Sequence, residues 1–301
     1  MNTEMNKEGR RSLLLSHYMA MVAMGLKTSL WVTAVLLTSG LIHLVLLVIL
    51  GTSWDGPVSL RKPALFGISG GLTTWSIAWL MTQLKPRKYD SVLSNLLAVG
   101  LLVEVALITV QCWRGVPSHF NHSTNLDAIF EFTMLGLILA ATVAIVYLTF
   151  RTRQLQAIEP SMALAIQGGM WLLALSCGLG FLTTALGELN MALGRRYELW
   201  GRAGVLKFPH GVALHAIQFL PLVAWIALRL KVKNPSQLVQ AFLSAQLFFL
   251  LYACWQTSQG RARFDWDAIG GILLGITVVI GSFATAALTK SWLVVTFAKS
   301  K

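Results

Sequence analysis

The sequence predicts an all-α integral membrane protein, a polytopic bundle of about eight transmembrane helices. Three observations carry that prediction. First, of 301 residues 55% are hydrophobic and only 12% charged, with a mean hydropathy of +0.66, whereas soluble domains are about 25% charged. Second, the apolar residues fall in runs of about 20, enough to cross a ~30 Å hydrocarbon core. Third, the basic residues sit in short clusters between those runs, as membrane-flanking residues do. The net charge of +12 therefore reads as lipid-facing anchoring and not as a nucleic-acid surface. The apolar content excludes disorder.

Residues 12–26 come first. They are apolar for about 14 residues, follow Lys7, Arg10 and Arg11 and precede Lys27, which is also the layout of a signal peptide. A second apolar run starts at once, with no soluble mature start between them. The better reading is a short interfacial helix on the inner surface. Residues 1–28 are then an inner N-terminal segment and 29–301 a single transmembrane domain.

The eight spans are expected at 29–51, 63–83, 92–113, 127–150, 161–186, 208–229, 235–256 and 268–290. Trp54-Asp55-Gly56-Pro57 makes a turn and Pro63 opens the second span; Lys85-Pro86-Arg87-Lys88 closes it. Pro117, Pro160, Pro209 and Pro235 sit at or near helix starts, where proline is tolerated. Pro221, inside the sixth span, predicts a kink there. Gly70-Gly71, Gly168-Gly169 and Gly270-Gly271 predict close helix–helix contacts. The loop at 187–207 has a helical look from Glu188 to Trp200.

Orientation follows the basic residues. Lys7, Arg10, Arg11, Lys27, Lys85, Arg87, Lys88, Arg151, Arg153, Arg229, Lys231, Lys233, Lys290, Lys299 and Lys301 fall on one side. Fewer fall on the other, so both termini are expected inside. Tryptophans 54, 113, 200, 255 and 266 mark the outer boundaries as an aromatic belt. The expected setting is a bacterial plasma (inner) membrane, with the lipid bilayer as the first partner.

Chemistry in such a chain is sought among ionisable residues inside apolar runs, which are costly unless they face a cavity, a partner or a pathway. Four stand out, all in the outer half. His43 is ~12 Å in, Glu104 ~13 Å, Glu131 ~6 Å and His215 ~10 Å. Glu131 and Asp127 lie in the first turn of the fourth span, where carboxylates suit the helix dipole. His43, Glu104 and His215 are expected to share one outward-opening cavity. His43 and His215 at matched depth suit the axial ligands of a b-type haem or two ligands of a metal ion. Glu104 suits proton relay, cation binding or a hydrogen bond to a quinone or other small-molecule ligand. Arg61 and Arg114 in the outer loops suit the anionic groups of a cofactor; interfacial anchoring explains them equally well.

The segment from Gln111 to Thr124 is the most polar stretch, with the look of a lid over an outer cavity. Its His119 and His122 form a weak metal-binding pattern, HxxH on a loop. Cys112 and Cys254 both fall near outer helix ends, where an oxidising compartment permits a disulfide. Lys290 reads as a snorkelling residue. No phosphate loop, nucleophile elbow or HExxH is present. Three functions fit: a haem- or metal-dependent redox protein, a proton- or cation-coupled transporter of a small solute, or an anchor without catalysis.

Overall fold

The computed structural model describes residues 7–155 and 158–298, with side chains described for 25–155, 158–293 and 296. Residues 1–6 of the expected inner segment, and Lys299 and Lys301 of the basic set, lie outside the described residues. Among the described residues, eight helical segments are long and apolar enough to cross a membrane: Gly25–Ile49, Arg61–Gln83, Asp90–Trp113, Asn125–Gln154, Pro160–Ala192, Lys207–Arg229, Pro235–Ser258 and Ala268–Leu293. The all-α multi-pass bundle is thus observed. The stretch expected as one transmembrane domain comprises two compact units, the first ending at Ala144 and the second starting at Ile145.

The first unit is built from α1 (Lys7–Ile49), α2 (Arg61–Gln83), α3 (Asp90–Trp113) and the beginning of α4 (Asn125–Arg151). The interfacial helix expected over 12–26 is not a separate element, because α1 runs without a break into the first span. No proline lies between Ser12 and Lys27 to stop it, and the single Gly25 is tolerated inside a helix. α1 and α2 cross backbone to backbone. A Cβ on Gly40 would lie 2.7 Å from the Ile68 nitrogen, and one on Gly67 would lie 2.8 Å from Gly40 Cα. α3 lies against both: Val32 and Leu36 share a buried cluster with Ala98 and Val105. Ser29 of α1 and Ser94 of α3 join their hydroxyls at 2.8 Å, a polar contact between helices that have no hydrophobic drive to associate.

The second unit takes the end of α4, a 3-10 turn at Thr152–Gln154, α5 (Pro160–Ala192), a two-stranded ribbon, α6 (Lys207–Leu214), α7 (Ala216–Arg229), α8 (Pro235–Ser258) and α9 (Ala268–Ala298). Glu159 caps α5, its Oε2 accepting from Ser161 N at 2.8 Å, with Pro160 at the first helical position. The helical look of 188–200 holds only to Ala192; Gly194 has φ +67° and Leu199–Trp200 pairs antiparallel with Gly204–Val205. The core gathers Ala165 and Leu172 of α5, Ala213 of α6, Ala216 and Leu220 of α7 and Val239 of α8. α9 packs on α8 and is exposed along most of its length, as a lipid-facing helix is.

The sixth span is interrupted, and not where the proline alone predicts. α6 ends at Leu214, α7 begins at Ala216, and His215 joins them with ψ near 10°. Pro221 cannot donate to the Ile217 carbonyl and its ring crowds the turn before it, so the disturbance appears N-terminal to the proline. Gly169 of α5 admits the distorted backbone, since a Cβ there would lie 2.7 Å from Ile217 Cα. Freed carbonyls are met by neighbours: Gln246 Nε2 donates to Val212 O at 2.6 Å, and Ser176 Oγ donates to His210 O at 2.8 Å. Gly270-Gly271 meets the expected neighbouring helix only through Gly270, where a Cβ would lie 3.0 Å from Gln256 Nε2 of α8. The two glycines lie under the Asp267 carboxylate and the Trp266 ring of the preceding turn. All three cysteines are free thiols.

Candidate intramembrane carboxyl and its polar cap

Within the first unit one face of α3 looks toward α4. A Cβ on Gly100 would touch Leu137 at 3.9 Å, and Gln111 Nε2 donates to Asp127 Oδ1 at 2.9 Å. Residues 100, 104, 108 and 111 recur at helical spacing on that face. Glu104 therefore lies on it, ~10 Å along the helix from Gln111. Interpolating between the two contacts puts it level with Met134, which is buried. Glu104 is 7% exposed, and among the described residues no hydrogen bond or ion pair reaches its carboxyl. A carboxyl in such a place is stable when protonated or hydrated.

The α3–α4 end of the unit is closed by a dense polar set. Arg114 Nη1 donates to Asp127 Oδ1 at 2.7 Å and also to Gln111 Oε1. The Thr124 hydroxyl donates to Asp127 Oδ2 at 2.7 Å, and Asp127 N lies 3.2 Å from that hydroxyl. Thr124 thus caps the start of α4 through its hydroxyl, which accepts from Asp127 N and donates to the Asp127 carboxylate. Asp127 is 2% exposed, whereas the Arg114 side chain is 34% exposed and reaches water.

Glu131 serves the loop as well as the helix dipole. Its two oxygens accept Phe120 N at 2.7 Å and Asn121 N at 2.8 Å. That clamp holds Phe120 at φ +58°, a conformation that bulky residues rarely adopt. Asn121 turns the loop further, bonding Pro117 O and Ser123 N. The segment expected as a lid is therefore an ordered cap tied to α4.

The histidines separate. His119 lies beside Phe66, its Nδ1 is 2.9 Å from Ser118 Oγ, and Lys62 Nζ donates to that hydroxyl at 3.4 Å. Burial, then the Lys62 charge, lowers the His119 pKa from the usual 6.5 to about 4. His122 instead lies beside Phe132, with Nε2 3.7 Å from Glu131 Oε2. The two rings of the HxxH pattern thus have different partners. His43 is buried; its Nδ1–H donates to Ser39 O at 2.7 Å and its Nε2 accepts from Trp113 Nε1 at 3.0 Å. Both nitrogens are occupied, so ligating a haem or metal requires breaking one of those bonds. Arg61 lies 3.7 Å from Asp55 and over the Trp54 ring, and Arg114 is committed to Asp127.

His43 and Glu104 belong to the first unit and His215 to the second. His215 is exposed, with Nδ1 3.3 Å from Gln218 Oε1. In that second unit it is His210 that turns inward, its Nδ1–H donating to Ser176 O at 2.8 Å. Sequence reasoning missed the Asp127 cluster. The spacing Thr124-x-x-Asp127 was the available signal. Comparison with protein families, curated proteins and solved structures finds no match.

Proposed function

We propose that this protein is a transporter of a small solute whose movement is coupled to a proton or other small cation at Glu104. It would work in a bacterial plasma membrane with the 115–124 loop outside. The observation that carries this reading is Glu104 itself, a buried carboxyl in a membrane span with no partner among the described residues. Structural side chains at such depth are normally paired, because leaving them unpaired is costly. The interrupted sixth span adds support, since broken helices with side-chain-satisfied carbonyls recur where transporters bind and move. The haem or metal reading draws less support, because His43 is engaged at both ring nitrogens.

The test uses purified protein in liposomes carrying a pH-sensitive dye, with labelled amino acids, sugars and monocarboxylates as probes. Solute-dependent proton entry is expected in the wild type and its loss in Glu104→Gln, with downhill solute exchange retained. Unchanged, pH-independent flux in the variant would remove Glu104 from the mechanism.

A further inference from the structure

We propose that the Gln111–Arg114–Asp127 cluster is the outer gate of the proton route to Glu104, with Arg114 as its moving part. The inference rests on the reading of Glu104 as the coupling carboxyl.

Gln111 and Glu104 occupy one face of α3, and Asp127 meets that face from α4. A proton entering along the seam from the α3–α4 end passes Asp127 before it reaches Glu104. In the observed arrangement Asp127 is buried, and a guanidinium and an amide share its Oδ1. The Arg114 charge there repels an incoming proton, and the amide fills the remaining space. Asp127 is held in place, because its other oxygen accepts from the Thr124 hydroxyl that caps α4. Arg114 can move, because its side chain is 34% exposed and its guanidinium is rehydrated outside; the Asp127 charge it leaves buried is costly, and that cost is relieved when Asp127 takes up the proton. When it swings out, Asp127 is left as a buried proton acceptor at the head of the seam.

The other titratable groups at this end are held elsewhere. Glu131 is engaged by two loop amides, with His122 beside it. Lys62 and His119 meet through Ser118, and His43 faces Trp113. One proton moves and no other reactant is needed.

Proton leak into protein-containing liposomes, driven by a potassium diffusion potential and read by an internal pH dye, tests this without knowledge of the solute. Arg114→Gln is expected to raise the leak about tenfold or more. Arg114→Lys, which keeps the charge, should stay near wild type. Adding Glu104→Gln to Arg114→Gln should return the leak to baseline. Gln111→Leu, which keeps the ion pair but removes the amide, should give a smaller rise and substitutes if Arg114→Gln does not fold. Wild-type leak in both opening variants, or a leak that survives the loss of Glu104, overturns the gate. Failure of the transport reading shows separately, as solute flux indifferent to Glu104→Gln.

Discussion

At the scale of single residues, the polar cap is organised by groups whose sequence context hides their partners. His119 reads as half of a metal-binding pattern, yet its neighbours are Phe66, Ser118 and Lys62. Those neighbours have a measurable consequence. With a folded-state pKa of about 4 against an ordinary 6.5, folded His119 binds fewer protons than the unfolded chain between those values. Its contribution to stability is therefore complete above pH 6.5 and is lost as pH falls toward 4. The expected loss over that window is on the order of 2 kcal/mol. Thermal unfolding of detergent-solubilised protein from pH 4 to 7 measures it, and His119→Phe should flatten the slope. An unaltered slope in that variant would place the titration elsewhere. Glu131 shows the same concealment. Its position at the start of a span suits a helix dipole, and only the fold shows it gripping Phe120 and Asn121.

At the scale of elements, span limits were legible and span contacts only partly so. About 20 apolar residues must cover a fixed thickness, so the ends of α2, α3 and α8 follow from punctuation such as Pro235 and Lys85-Pro86. Which face meets which neighbour is written far more faintly, because lipid-facing and buried faces are both apolar. Small residues are the exception. Gly71 meets Leu37 and Gly169 meets Ile217, as paired glycines predict, and Gly270 meets Gln256 of α8, whereas Gly271 lies under the Trp266 ring of the preceding turn. A comparably tight contact, Gly40 on Gly67, involves single glycines. Gly67→Ala pushes a methyl to 2.8 Å from Gly40 Cα and is expected to cost about 1–3 kcal/mol. Unfolding in graded denaturant measures that cost, and Gly136→Ala, which meets open space, serves as the matched control.

At the scale of the whole molecule, the multi-pass bundle was legible from composition and run length alone. The expected grouping of His43, Glu104 and His215 was inferred from depth, and depth fixes height in a bilayer but not direction around a helix axis. His43 is turned onto Trp113 by the azimuth of its helix, and His215 sits at the break between α6 and α7. Orientation is a property of the entire chain, set by the distribution of lysine and arginine. With the 115–124 loop outside, Ser123→Cys in a background lacking the native cysteines should react with a membrane-impermeant maleimide on intact cells, and Lys88→Cys should react only after permeabilisation. The reverse pattern would invert the topology and move the gate to the inner face.

The hydrogen bond from Gln246 to the Val212 carbonyl also bears on how the chain is made. Helices enter a membrane in the order of synthesis, and a backbone carbonyl facing hydrocarbon without a donor is costly. The donor for Val212 arrives two helical segments later, on α8. Until then the sixth span holds an open acceptor beside its break. Stable insertion of that span is therefore expected to depend on α8 following it, and truncation after residue 234 should leave the sixth span less completely inserted.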